Sequence, residues 1–179
     1  MPDFKMGNPA KTVISQSGTA NPTWGANAPT GAVVNVLSTS KTDTQTLSAN
    51  SWADISNLSV SITPKSTSNK ILIFGVVYIG QDSGGDVMTR IVRDSTAIGI
   101  GDASSSRQRA TTGGSPRQVY EMQSHPFNFL DSPSTTSSTT YKIQYYCGDV
   151  AYVNRTDNDA DNANAERTIS TITVMEIAG

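Results

Sequence analysis

The sequence predicts an all-β domain, an antiparallel jelly-roll sandwich, preceded by an extended N-terminal arm. Three observations carry that reading. The run Lys70–Gly80 is almost wholly apolar and rich in β-branched and aromatic residues, yet far short of the ~20 residues a membrane-spanning helix needs. Serine and threonine fill 45 of the 179 positions, while glutamate and lysine together fill nine. That balance works against helices, because straight-chain residues favour them and hydroxyls compete for the backbone. Short apolar segments separated by turn residues then recur from residue 32 to the end, as in a sandwich or jelly roll.

Residues 1–31 form the arm. They are rich in Gly, Pro, Asn and Thr, with Phe4, Ile14 and Trp24 as isolated bulky side chains. Such a segment buries too little apolar area to order itself, and a terminus of this kind is ordered by docking. Phe4, Ile14 and Trp24 are therefore the expected anchors of an attachment arm. Residues 32–179 form one domain, and a chain of this length buries roughly 70% of its unfolded surface.

Strands are predicted at 32–38, 52–62, 70–80, 87–92, 96–100, 118–130, 139–147, 150–154 and 168–177. Residues 82–86 and Arg93-Asp94-Ser95 read as turns; 102–116, 131–138 and 157–166 read as polar loops. In 58–62 a clean alternation turns Leu58, Val60 and Ile62 toward a core. In 70–80, Ile71, Ile73, Val77 and Ile79 oppose Leu72, Phe74, Val76 and Tyr78. Both faces are apolar, so a second sheet must cover one and a neighbouring subunit the other. The last strand has the same character, with Ile172 and Val174 opposing Ile169, Met175 and Ile177, and is expected beside 70–80. Ile71, Ile73, Val77, Ile79, Ile172 and Val174 are accordingly assigned to an oligomer interface.

The chemical inventory argues against an enzyme. One histidine and one cysteine cannot build the usual zinc sets, and no cofactor is expected. His125 lies within a strand and no G-x-S-x-G accompanies it, so it reads as structural rather than as part of a triad. Cys147 reads as a buried small hydrophobe. Asp82-Ser83-Gly84 lacks the second copy that an aspartic-protease site requires. Gly99-Ile-Gly101 lacks both the third glycine and the helix of a dinucleotide loop. Asp157, Asp159 and Asp161 alternate as in a calcium loop, but the sixth position is Asn162 and Glu166 falls at the tenth; a solvated loop is expected. Arg107, Arg109 and Arg117 are, with those aspartates, candidate surface-loop contacts. A net charge of −2 gives no case for nucleic acid. Met1-Pro-Asp-Phe-Lys5 lacks the apolar core of a signal peptide, which predicts synthesis in a reducing cytoplasm and no membrane insertion.

Several segments, in order, carry a resemblance. Val34-Asn-Val-Leu-Ser-Thr-Ser-Lys-Thr-Asp43, Leu58-Ser-Val-Ser-Ile-Thr-Pro64 and Ser66-Thr-Ser-Asn-Lys-Ile-Leu72 come first. Val92-Arg-Asp-Ser-Thr-Ala-Ile-Gly99, Leu130-Asp-Ser-Pro133, Tyr152-Val-Asn-Arg155 and Ser170-Thr-Ile-Thr-Val-Met-Glu-Ile177 follow. Over residues 32–179 the chain resembles tail-fibre-like virion structural proteins of tailed bacteriophages. The strand order is similar to that of the C1q/TNF-type jelly roll, which usually forms trimers. The resemblance implies a non-enzymatic virion component, assembled in the bacterial host cytoplasm and displayed on the virion surface. It would be a homotrimeric knob attached by its arm to other proteins of the capsid, as a decoration or head fibre, or of the tail. The alternative is a receptor-binding module for a host surface glycan; Tyr141, Tyr145 and Tyr146 lie in a strand, and the long loops hold no aromatic residue. A depolymerase would need paired carboxylates beside a groove, and the three glutamates, Glu121, Glu166 and Glu176, are scattered.

Overall fold

The computed structural model describes residues 28–48, 50–81, 85–114, 116 and 120–179. The anchors Phe4, Ile14 and Trp24, the Asp82-Ser83-Gly84 turn and Arg117 lie outside them. Eleven strands are present: β1 (Val33–Lys41), β2 (Gln45–Leu47), β3 (Ala53–Ile62), β4 (Lys70–Gly80), β5 (Val87–Arg93), β6 (Thr96–Ile98), β7 (Thr112–Gly113), β8 (Met122–Asp131), β9 (Thr139–Cys147), β10 (Ala151–Val153) and β11 (Ser170–Ile177).

All the pairings are antiparallel, and they build two sheets. In the first, β4 is central, with β8 on one edge and β11 then β1 on the other. Where β11 stops at Val76 on β4, β10 takes over at Ile79 and Gly80, with β2 beside it. The second sheet runs β3-β9-β5-β6, with β7 also on β5. With the short β2, β7 and β10 set aside, one sheet holds the first, eighth, third and sixth remaining strands. The other holds the second, seventh, fourth and fifth. This is the jelly-roll arrangement expected from the sequence.

Period-two alternation builds the core between the sheets. Ile71, Ile73, Val77 and Ile79 from β4 and Ile172 and Val174 from β11 are 0% exposed. They meet Ile55, Leu58, Val60 and Ile62 of β3 and Ile91, Tyr141 and Ile143 of β5 and β9. Gly75 breaks the inward row of β4, and the ring of Phe127 occupies the space a side chain would take. Cys147 is buried and free, as expected.

Polar ties fix the ends of the sandwich. Asp131 on β8 is 6% exposed; its carboxylate accepts from Arg93 Nη1 at 2.8 Å and from the Tyr141 hydroxyl at 2.7 Å. Those partners belong to the opposite sheet, so one carboxylate staples the two layers. Asn154 follows β10 with φ of +60°, a left-handed turn that asparagine tolerates. Its amide donates to the carbonyls of Lys41 and Asp43, and its oxygen accepts from the Ser170 hydroxyl at 2.6 Å. The β1–β2 corner is thus tied to the start of β11. At the other end Glu176, fully buried, accepts from the Lys65 N–H and the Asn69 amide through one oxygen. It pins the 63–69 connection.

Candidate assembly interface

The two-sided character of β4 resolves into one inner and one outer face, and this corrects the predicted interface. Ile71, Ile73, Val77, Ile79, Ile172 and Val174 have no surface left to give a partner, because each is already enclosed by the chain's own second sheet. Subunit contact would have to use the opposite face.

That face is continuous and apolar at its centre. Residues directly opposite in an antiparallel ladder lie on the same side of the sheet. The register sets Val36, Met175, Leu72 and Leu130 in one row across β1, β11, β4 and β8. Val36 is 49% and Leu130 47% exposed, and Leu72 and Met175 between them are half-buried. The next row is Ser38, Thr173, Phe74 and Asn128; the third is Ser40, Thr171, Val76 and Pro126. Tyr78, opposite Ser124, continues the column. Leu72, Phe74, Val76 and Tyr78 therefore form an apolar spine, flanked on the β1 side by hydroxyls such as the Ser38–Thr173 pair at 2.9 Å.

The loop candidates do not converge. Arg107 donates to the Ser104 hydroxyl and Arg109 to the Gly101 carbonyl, which stiffens their own loop. Asp159 pairs with Arg167, and Asp157 accepts from the Asn158 N–H. Among the described residues no group of three metal-ligating side chains exists, Asp157, Asp159 and Asp161 included.

His125 points into the core opposite Val77 and is 1% exposed. Neither ring nitrogen has a hydrogen-bond partner among the described residues. Burial pushes its pKa down from 6.5 to about 4; the nearby Gly114 backbone, which makes no hydrogen bond of acceptable geometry to the ring, opposes this. The unfolded chain therefore takes up a proton near pH 6.5 and the folded chain only near pH 4. Stability is fully present above 6.5 and is lost as pH falls through that window, by up to roughly 3 kcal/mol. As the chain's one histidine, it should dominate the titration between pH 6.5 and 5. Urea unfolding across that range should show the loss, and His125→Leu should flatten it; an unchanged slope would exclude His125 as its source.

The outer face of the second sheet carries a feature that sequence reasoning missed. Trp52, just before β3, lies beside Tyr146 of β9 with ring centroids 5.8 Å apart. The Arg90 guanidinium sits 4.1 Å from the Trp52 ring centroid and donates twice to the Gln144 side-chain oxygen. Gln144 donates in turn to Asp54, which also pairs with Lys142 at 2.7 Å. The indole N–H donates to Gln108 at 2.9 Å, docking the Arg107–Arg109 loop onto the sheet. Of the three tyrosines on β9, Tyr141 and Tyr145 are buried and only Tyr146 reaches this surface. The outward alternation of β9 holds the signal for Tyr146 and Gln144; nothing local announces Gln108.

No family model matches the chain, and no curated protein does. Solved structures match weakly. The structure of infectious bursal disease virus Gt strain matches all of this chain (100%) and 46% of its own length, at 13% identity and a TM-score of 0.45. Infectious bursal virus derived T=1 particles match over 92% of this chain and 41% of theirs, at 11% identity and a TM-score of 0.42. The infectious bursal disease virus VP2 subviral particle matches over 80% and 41%, at 11% identity and a TM-score of 0.39. The chain spans less than half the length of these structures. At this level of similarity neither shared function nor shared assembly follows.

Proposed function

We propose that the chain is a non-enzymatic structural protein of a bacteriophage virion. Three copies associate through the outer face of the β1-β11-β4-β8 sheet to form a knob on the particle surface. The observation that carries the assembly is the outward spine Leu72, Phe74, Val76 and Tyr78. It stands on a strand whose inward residues already fill the core. A central strand that is apolar on both faces needs cover on both, and the half-buried spine runs out to the exposed Val36 and Leu130, a patch of the kind that marks interaction surfaces. The Arg155–Thr156 backbone lies over Gly80 at one end of this face, while Leu72, Phe74, Val76 and Tyr78 stay only half-buried. The ordered resemblance over residues 32–179 supports the virion, and the jelly-roll order supports a trimer. Residues 1–31 serve as the tether, with Phe4, Ile14 and Trp24 as anchors, because aromatic and other large side chains dominate interface energies.

Cryo-electron microscopy of particles of the encoding phage tests this reading. The expected result is density for a trimeric knob, with the β4 outer faces turned inward and residues 1–31 leading into the capsid or tail. Particles that lack the chain altogether would refute the virion assignment.

A further inference from the structure

The outer face of the second sheet forms a separate site. We propose that Trp52, Tyr146, Arg90 and Gln144, with the loop arginines Arg107 and Arg109, bind an acidic saccharide, a chain of sugar rings bearing carboxylates. The proposal goes beyond the structural role, and binding by a monomer would leave it intact.

Three properties of the surface point to that ligand. The first is the half-exposed aromatic pair. The apolar C–H face of a sugar ring packs on an aromatic face, and Trp and Tyr combine an apolar body with a polar handle. The second is a mixed set of donors and acceptors around the rings: the Arg90 guanidinium, the Gln144 and Gln108 amides and the Asp54 carboxylate. A hydroxyl both donates and accepts, so a polyol can use every member of this set. A phosphate backbone only accepts, so it offers no donor to the Asp54 carboxylate.

The third property is charge. Arg107 and Arg109 flank Gln108, which is itself held on the Trp52 indole, so both start within one residue of the aromatic pair. Among the described residues, none of Arg90, Arg107 and Arg109 has a carboxylate partner. Guanidinium groups bind carboxylates in a forked, two-bond geometry. The bonds from Arg107 to Ser104 and from Arg109 to Gly101 hold the loop in place before a ligand arrives, which lowers the ordering cost of binding.

The chain has two tryptophans, so in the full-length Trp24→Phe protein the emission reports on Trp52 alone. That protein should be titrated with a tetramer of galacturonic acid, with maltotetraose and with a ten-residue oligothymidylate. A saturable emission change with the uronate tetramer, weakened by salt, is the expected result. Trp52→Ala, followed by calorimetry, should weaken binding at least tenfold. Because Trp52 also packs on the sheet, the exposed double variant Arg107→Glu/Arg109→Glu gives an independent loss of similar size without touching the core. Maltotetraose bound as tightly would overturn the acidic assignment, and tighter binding of the oligonucleotide would replace it with nucleic acid. Uronate binding untouched by either variant, or no binding of any probe at millimolar concentration, would overturn the site.

Discussion

Gly75→Ala should lower the melting temperature by roughly 10 °C, although it adds a single methyl group. Gly75 sits at an inward position of β4, opposite Phe127 on one side and Ile172 on the other. A Cβ there would overlap the backbone carbonyl oxygen of Thr171 and stand 2.8 Å from the Phe127 ring. Phe127 has a rotamer to yield, but the Thr171 carbonyl belongs to β11, the neighbour that β4 pairs with along most of its length. Relief therefore requires moving a strand and breaking ladder bonds. Overpacking a well-filled core commonly costs 1–3 kcal/mol, and a clash with backbone belongs at or above the top of that range, about 3 kcal/mol or more. For a domain of this size that lowers Tm by roughly 10 °C. Circular dichroism melts of the Gly75→Ala protein check this. A Tm within 2–3 °C (about 1 kcal/mol) of the parent would mean that β11 sits farther from β4. Gly75→Ala combined with Phe127→Leu should recover only the part of the loss due to the ring.

Much of the sandwich was legible because its strands repeat with period two and stop at turn residues. β4 and β9 fall where the alternation and their flanking loops place them. The turn at Arg93-Asp94-Ser95 appears as a two-residue connection, with Asp94 at φ +53° and its side chain accepting from the Thr140 N–H. β2 and β7 were missed because three and two residues, Gln45-Thr46-Leu47 and Thr112-Gly113, carry no readable period. They exist because of long-range pairing: β2 lies against the equally short β10, with Asn154 tying the β1–β2 corner beside it, and β7 lies against β5. β8 starts at Met122, since Tyr120 just before it turns left-handed at φ +68°; the expected start at 118 lies outside the described residues.

The site was less legible, for two reasons. Alternation shows that β4 has two apolar faces but is symmetric about which one faces the core. Only the pairing with β8 and β11, and the second sheet lying across them, decides that. The aromatic cluster on the other sheet depends on Gln108 reaching Trp52 from 56 residues away, a relation that no local pattern carries.

The second large effect is expected at the outer face. Phe74 is the middle of the apolar spine, on the central strand, with Thr173 and Asn128 beside it. Phe74→Glu places a carboxylate where three copies would meet, and desolvating an unpaired charge is strongly unfavourable. In the isolated chain the same side chain is only half-buried and directed outward, so the fold itself should survive. Self-association should weaken by at least ~100-fold per contact, about 3 kcal/mol, in the range of a central interface residue. Ser40→Glu, at the margin of the same sheet on β1, is the control and should change association far less.

Light scattering on the full chain in solution is the decisive measurement. The expected mass is three times the 18.9 kDa of one chain, falling to one chain for Phe74→Glu with an unchanged circular dichroism spectrum. A parent protein that stays monomeric at micromolar concentration, or a Phe74→Glu protein that keeps the full mass, would contradict assembly through this face.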